Sequence, residues 1–343
     1  MPAMPLALDA NRKFDERYQR AVCRYYHAAG ARGFAVGVHV TQFAIREPKH
    51  GLYRPVLELM REEFDRADQL LAKTIPAEAP MVRIGGIAGL TDQALSEAAI
   101  LKELGYHAGL LSMIALKGES EERILDHCRQ VAEVIPVFGF YLDGVVEGPR
   151  LTYNFWRQFC EIENVVAIKL AAFDRYKTID VIRAVVESGR DDIALYTGND
   201  DTIVIDLVTP HVFQVNGKPK ERRICGGLLG HWAVWTTRAA EMLERCHIVS
   251  ERGAVPEELI QTAIEVTDMN AAIFDSANGF VGSVAGINEV LFRQGLLPTN
   301  YCLDENNVLS PGQAAEIDRV TAAYPHLTDN AFVKAHLEEW LAD

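Results

Sequence analysis

Strand-like and helix-like segments alternate along the first two thirds of the chain, and this alternation restricts the fold more than any other feature. Short apolar runs bounded by glycine, proline or polar residues are each followed by a longer segment whose apolar residues recur at helical spacing. The apolar runs do not alternate with polar residues, which is typical of parallel strands buried on both faces. The eight strand positions are 2–8, 34–40, 81–87, 106–114, 136–141, 165–169, 193–196 and one within 212–229.

Eight alternating units favour a closed (β/α)8 TIM barrel, an α/β fold, over an open doubly wound sheet. No Gly-x-Gly-x-x-Gly or Gly-Lys-Thr motif follows any strand, so a nucleotide-binding sheet has no direct support. Beyond residue 250 the strand-like runs stop, and only helical patterns follow, at 256–274, 285–294 and 311–323. We therefore predict a catalytic barrel domain over residues 1–250 and a helical C-terminal domain over residues 251–343.

Composition excludes several classes of partner. A net charge of −14 over 343 residues argues against nucleic acid and anionic membranes as partners. The six cysteines include no Cys-x-x-Cys pair, so neither a zinc site nor a disulfide framework is indicated. No apolar run is long enough to span a bilayer, and residues 1–10 lack the basic and apolar regions of a signal peptide. We therefore expect a cytoplasmic protein without a metal.

Lys169 is the candidate catalytic residue, because it lies where the buried strand Val-Val-Ala-Ile-Lys gives way to a loop. Poorly hydrated surroundings disfavour the ammonium form and so lower the pKa of a lysine. The neutral amine can attack a carbonyl carbon and form a Schiff base that withdraws electrons from the neighbouring carbon. The alternative is a lysine whose ammonium group reaches water at the open end of the strand.

Tyr141 ends the preceding strand of the predicted barrel. Neighbouring strands lie about 4.8 Å apart, so the side chains of Tyr141 and Lys169 could meet over one pocket. A tyrosine hydroxyl beside an imine can pass protons to and from the reacting carbon. Taken alone, Tyr141 fits a buried aromatic residue with a satisfied hydroxyl group better, and only its pairing with Lys169 favours the relay.

These segments resemble the dihydrodipicolinate synthase and N-acetylneuraminate lyase family of class I aldolases. The resemblance rests on Tyr141, which lies 28 residues before Lys169, on the lysine strand, on Thr-Gly-Asn-Asp at 197–200 and on the lead into the first helix at 5–16. It implies a barrel in which Lys169 forms an imine with pyruvate or another 2-oxo acid, Tyr141 relays protons and Gly198 lies at the substrate site. It also implies a homo-oligomer, dimer or tetramer, that needs no metal or organic cofactor because the covalent imine is the electron sink.

The turn that binds the 2-oxo acid carboxylate in this family falls here on residues 38–42, whose sequence differs from the family pattern. By resemblance, the carboxylate is expected at Val40, Thr41 and Gln42. His39 occupies the position of a relay threonine. It can carry a proton near neutral pH, or it is a polar residue packed at the strand end.

Two further differences concern the second substrate. The arginine that binds it in the lysine-biosynthesis branch is replaced by Val146, and a tyrosine of that branch is missing from 112–115. These differences argue against dihydrodipicolinate synthesis itself. Asp143 and Glu147 are expected either to bind hydroxyl groups of a sugar acid or to be solvated loop carboxylates.

The sequence thus predicts a class I lyase that cleaves or condenses a 2-oxo acid with an aldehyde, or dehydrates a sugar acid. Both reactions share the imine at Lys169, and the sequence does not separate them. One alternative is a barrel without turnover that serves as a small-molecule binding or regulatory protein. Another is a lyase that uses an aldehyde and not pyruvate.

Overall fold

The structure of the protein, a computed structural model, describes residues 1–74, 79–142 and 148–342. The strands are β1 (Gly33–Val36), β2 (Val82–Ile87), β3 (Ala108–Leu111), β4 (Val137–Leu142), β5 (Val165–Ala171), β6 (Ala194–Thr197), β7 (His211–Val215), β8 (Lys218–Arg222) and β9 (Gly226–Gly227). The α-helices are α1 (Glu16–Ala28), α2 (Tyr53–Thr74), α3 (Thr91–Glu103), α4 (Glu121–Ala132), α5 (Tyr153–Phe159), α6 (Arg175–Ser188), α7 (Ile203–Val208), α8 (Thr236–Arg252), α9 (Glu257–Ile273), α10 (Ser283–Arg293), α11 (Gln313–Ala323) and α12 (Asn330–Leu341).

The main sheet has the strand order β1-β2-β3-β4-β5-β6-β9 across the described residues. An eighth position is taken by the N-terminal segment, since Pro2 bridges Leu229 and Ala3 bridges Ala35, both in the parallel sense. Parallel strands that neighbour one another in chain order, with helices between them, form a (β/α)8 barrel. The predicted TIM barrel fold is therefore confirmed.

β5 shows why these apolar runs become parallel strands. Its consecutive residues Ala167 and Ile168 are both buried, although their side chains point to opposite faces of the sheet. Burial on both faces is what a parallel strand covered by helices requires, and it explains the absence of polar alternation in the sequence.

The chain forms two compact units. The first consists of residues 1–83, 229–244 and 261–343. Within it, the hydroxyl group of Tyr25 in α1 donates a hydrogen bond to Asp329 Oδ2 at 2.7 Å, and its ring lies 5.4 Å from that of Trp340 in α12. Helices near the two ends of the chain therefore share one core. The boundary between residues 250 and 251 stays a prediction.

The second unit consists of residues 84–228 and 245–260. It contains an antiparallel hairpin, in which β7 pairs with β8 through the turn Asn216–Gly217. Both turn residues have positive φ, 52° and 75°, as a two-residue type I′ turn requires. The prediction of one strand within 212–229 is therefore corrected: most of this range forms the hairpin, and the short β9 takes the place in the sheet.

Two helices of the structure, α8 and α12, were not predicted from the sequence. None of the helices in the described ranges is both long and apolar enough to cross a membrane.

Candidate active site

Lys169 lies two residues before the end of β5, because the strand continues to Ala171 and does not stop at the lysine as predicted. Its partners in register are Phe140 of β4 and Tyr196 of β6. Paired residues of neighbouring strands point to the same face of a sheet, so the half-buried lysine lies between two aromatic residues. Its Nζ is 4.4 Å from the centre of the Phe140 ring.

The turn after β6 packs directly on the lysine side chain. A Cβ added at Gly198 would lie 2.6 Å from Lys169 Cε and 3.0 Å from Ala171 Cβ. The amide of Gly198 also donates a hydrogen bond to the carbonyl of Leu170 at 2.6 Å. Only glycine allows this approach, so the structure places Gly198 beside Lys169. Its role in substrate binding stays a prediction.

A buried carboxylate holds this turn in place. Asp206 in α7 accepts hydrogen bonds from Thr197 Oγ1 at 2.6 Å and Asn199 Nδ2 at 3.0 Å, and pairs with Arg175 Nη1 at 2.6 Å. Asn199 Oδ1 accepts a further bond from the amide of Phe173 at 2.9 Å. Phe173 follows β5 and Asn199 follows β6, so the network fixes the two loops on either side of the lysine.

Asp200, in the same turn, is the charged group that acts on Lys169. Burial lowers the pKa of Lys169 below its ordinary value. The negative charge of Asp200 opposes this shift without cancelling it. Burial raises the pKa of Asp200, and the positive charge of Lys169 opposes that shift in turn. Both shifts favour the uncharged forms, a neutral amine and a protonated carboxyl group.

Tyr141 pairs in register with Leu170 and not with Lys169. A register irregularity between Val137 and Phe138 moves the pairing by one residue, so that Phe140 takes the place opposite the lysine. The side chains of Tyr141 and Lys169, expected to meet over one pocket, therefore point to opposite faces of the sheet.

The buried Tyr141 ring packs on the helix-facing side of the sheet, 5.0 Å from the ring of Trp156 in α5. Its hydroxyl group donates a hydrogen bond to the carbonyl of Leu151 at 3.4 Å. These contacts are those of a buried aromatic residue with a bonded hydroxyl group. The proton relay role of Tyr141 stays a prediction.

Phe140, Tyr196 and Asp200 were not predicted as site residues. Asp200 was interpreted as a polar residue at the start of the next helix, and the two aromatic residues become neighbours of Lys169 only through the strand register. The Tyr196 hydroxyl group shares a hydrogen bond with Cys225, and burial together with Cys225 raises its pKa. The only signal in the sequence was the Thr-Gly-Asn-Asp run directly after a strand.

The segment 38–42 belongs to the first unit. The hydroxyl group of Thr41 donates to the carbonyl of Met4 at 2.7 Å and accepts from the amide of Gly37 at 3.0 Å, so its proton is already used inside the protein. Gln42 Oε1 accepts from the amide of Leu303 at 2.7 Å. Its buried Nε2 has no partner among the described residues, which makes it a donor still available for a carboxylate.

His39 and Val40 differ in exposure. The His39 side chain is exposed, with its ring 6.2 Å from that of Phe43, whereas Val40 is buried. Asp143, like Val146 and Glu147, lies outside the described residues. The expected roles of all these residues stay predictions.

A comparison with protein families finds no match, and a comparison with curated protein sequences finds none either. Solved structures do resemble the chain. Dihydrodipicolinate synthase from Oceanobacillus iheyensis has a TM-score of 0.75 at 14% identity, with 95% of each chain covered. N-acetylneuraminate lyase from Fusobacterium nucleatum has a TM-score of 0.70 at 14% identity, covering 94% of this chain and 97% of the lyase.

A third similar structure is a prophage protein of the dihydrodipicolinic acid synthase family from E. coli K12, solved in complex with pyruvate. Its TM-score is 0.71 at 14% identity, with 95% of this chain and 97% of the prophage protein covered. Over nearly its whole length, the chain therefore has the fold of the dihydrodipicolinate synthase and N-acetylneuraminate lyase structures.

Proposed function

We propose that the protein is a class I lyase of the aldolase type, in which Lys169 forms a Schiff base with a 2-oxo acid. The observation that carries the proposal is the Lys169 amine, which lies over the Phe140 ring and is favoured in its neutral form by burial. The fold shared with synthases and lyases, one of them solved with pyruvate, supports the same class of chemistry.

In this mechanism, Nζ of Lys169 attacks the carbonyl carbon C2 of the 2-oxo acid and gives a carbinolamine. Loss of water then forms the imine, which accepts electrons from a bond broken at the neighbouring carbon. The same imine serves aldol cleavage or condensation with an aldehyde and dehydration of a sugar acid. No metal or organic cofactor is part of the proposal.

Reductive trapping tests the proposal. Incubation with pyruvate and borohydride, followed by intact mass measurement and peptide mapping, is expected to give one reduced adduct on Lys169. Lys169→Ala should give none, whereas Lys218→Ala, which removes the same charge from an exposed hairpin residue, should be modified like the wild type. An unmodified but folded wild-type protein, or an adduct only on other lysines, would count against the proposal.

A second candidate function, small-molecule binding without turnover, is favoured by one observation. Two groups expected at the site have other partners: Thr41, expected to bind the carboxylate, donates its proton to Met4, and the side chain of Tyr141, the expected relay, points to the other face of the sheet. This candidate predicts that pyruvate binding, measured by calorimetry, survives Lys169→Ala and that borohydride traps no adduct.

Assembly as a homodimer or homotetramer is a separate part of the proposal and rests on the resemblance. Light scattering is expected to give two or four times the 38.1 kDa mass of the chain. A monomer at working concentration would remove this part of the proposal without affecting the chemistry of Lys169.

A further inference from the structure

We propose that Asp200 is the acid and base of the Lys169 site and transfers the protons that the imine chemistry needs. This inference rests on the proposed function, which supplies the imine. It is a catalytic role that the sequence did not assign to Asp200, and it replaces the relay expected from Tyr141.

Geometry places the turn that carries Asp200 against the Lys169 side chain. Gly198, two residues before it, is packed against the Lys169 side chain so closely that an added Cβ would lie 2.6 Å from Cε. Thr197 and Asn199, on either side of that glycine, are both fixed by the buried Asp206. The turn that carries Asp200 is thus bonded to Asp206 on one side and packed against the Lys169 side chain on the other.

The other polar groups near Lys169 have different positions or partners. Tyr141 lies on the opposite face of the sheet. Tyr196 lies on the same face, but its hydroxyl group bonds with Cys225 and its ring packs 5.2 Å from Phe138. The carboxylate of Asp206 is already bonded to Thr197, Asn199 and Arg175.

Asp201 is exposed and acts on Asp200, whose pKa its negative charge raises. Within the described part of the chain, Asp200 is therefore the carboxyl group whose charge influences the pKa of the amine.

The electrostatics suit a proton-transfer pair. Burial penalises the ammonium form of Lys169 and the carboxylate form of Asp200, so the pKa of Lys169 is lowered and that of Asp200 is raised. The two pKa values thus move toward each other, so transfer of the ammonium proton to the carboxylate leaves a neutral amine and a protonated carboxyl group. One residue is poised as the nucleophile and the other as an acid.

The proton balance of the reaction follows from this pairing. Asp200 donates its proton to the hydroxyl oxygen of the carbinolamine, the C2–O bond breaks, and water leaves while the nitrogen lone pair forms the C=N bond. The product is a protonated imine beside the Asp200 carboxylate. The carboxylate then takes a proton from C3, and the C–H electron pair forms the C2–C3 double bond of an enamine while the imine electrons return to nitrogen.

Deuterium exchange at the methyl group of pyruvate measures the last step without knowledge of the second substrate. In D2O, wild-type protein is expected to exchange the C3 protons, as followed by NMR. Asp200→Asn should slow this exchange by about 100-fold or more, the usual contribution of general acid–base catalysis. The variant should still give the borohydride adduct on Lys169 after long incubation.

The matched control is Asp191→Asn, which removes the same charge from an exposed residue before β6 and should exchange at the wild-type rate. Asp200→Ala serves as a second variant that also leaves space for a small carboxylate. Added formate should restore part of its exchange, which it would not do if Asp200 only maintained the structure of the turn.

The outcomes distinguish this inference from the proposed function. Wild-type protein that gives no adduct would overturn the proposed function and the inference together. An adduct on Lys169 combined with wild-type exchange in Asp200→Asn or Asp200→Ala would overturn the inference alone. So would a loss of exchange in Asp200→Ala that formate does not restore.

Discussion

At the scale of single residues, Gly198 sets how closely the turn after β6 approaches the lysine side chain. Its replacement by alanine would bring the new Cβ to 2.6 Å from Lys169 Cε, 3.0 Å from Ala171 Cβ and 3.1 Å from the Leu170 carbonyl. The lysine side chain can move, but the backbone of β5 cannot move easily. The lysine is therefore expected to leave its position over the Phe140 ring.

We predict that Gly198→Ala destabilises the protein by about 1–3 kcal/mol, as overpacking does, and slows trapping by pyruvate and borohydride at least tenfold. Gly189→Ala is the matched control, because the new Cβ meets open space and the strain comes only from a φ of 76° at the end of α6. It should lower stability in denaturant unfolding and leave the trapping rate unchanged. Equal trapping by both variants would contradict the placement of Gly198 at the site.

A second prediction for single residues concerns the effect of the Asp200 charge on the pKa of Lys169. In the wild type, burial keeps the pKa of Lys169 below its ordinary value, and the negative charge of Asp200 raises it in part. Asp200→Asn removes that charge and should therefore lower the pKa of Lys169 further. The titration of the lysine Cε resonance, in protein labelled with 13C lysine, measures both values. A Lys169 pKa that rises or stays constant in the variant would contradict the pairing.

At the scale of elements, the sequence is informative about which segments are strands and less so about which residues face each other. The apolar run at 165–169 marks β5, and the polar run at 197–200 marks the turn beside it. The irregularity between Val137 and Phe138 leaves no signal in the sequence, yet it decides that Phe140 and not Tyr141 lies opposite the lysine. Register depends on tertiary packing, which a residue interval alone does not report.

At the scale of elements, the prediction concerns the buried carboxylate of Asp206, which holds the loops after β5 and β6. Asp206→Ala would leave the donors of Thr197, Asn199 and Arg175 without their acceptor, and we expect a loss of about 3–5 kcal/mol, as for a broken buried pair. Asp180→Ala, which breaks an exposed ion pair with Arg183 in α6, should cost little. Similar denaturant midpoints for the two variants would show that the network does not hold the loops.

At the scale of the whole molecule, alternation of strand and helix was sufficient to predict the barrel, because each unit carries its own local pattern. The membership of the compact units was not predictable, since residues 261–343 belong with residues 1–83 through contacts between distant parts of the chain. Tyr25 shows this dependence, because its hydroxyl partner Asp329 and its ring neighbour Trp340 both come from the C-terminal segment.

A fragment of residues 1–250 is therefore expected not to fold by itself. It would lack α12 and Asp329, so the Tyr25 hydroxyl group would lose its acceptor and the Tyr25 ring would lose its contact with Trp340. Circular dichroism and denaturant unfolding of the fragment test this, with the full chain as the reference. A cooperative transition in the fragment would instead support an independent barrel domain that ends near residue 250.

The central claim is that the Lys169 amine forms an imine with a 2-oxo acid and that Asp200 lies beside it. A crystal structure of the protein soaked in pyruvate tests both parts in one measurement. The account predicts continuous density from Nζ of Lys169 to C2 of pyruvate, with an Asp200 oxygen within hydrogen-bond distance of the adduct. Pyruvate absent, or bound without a link to Lys169 in an open pocket, would contradict the account.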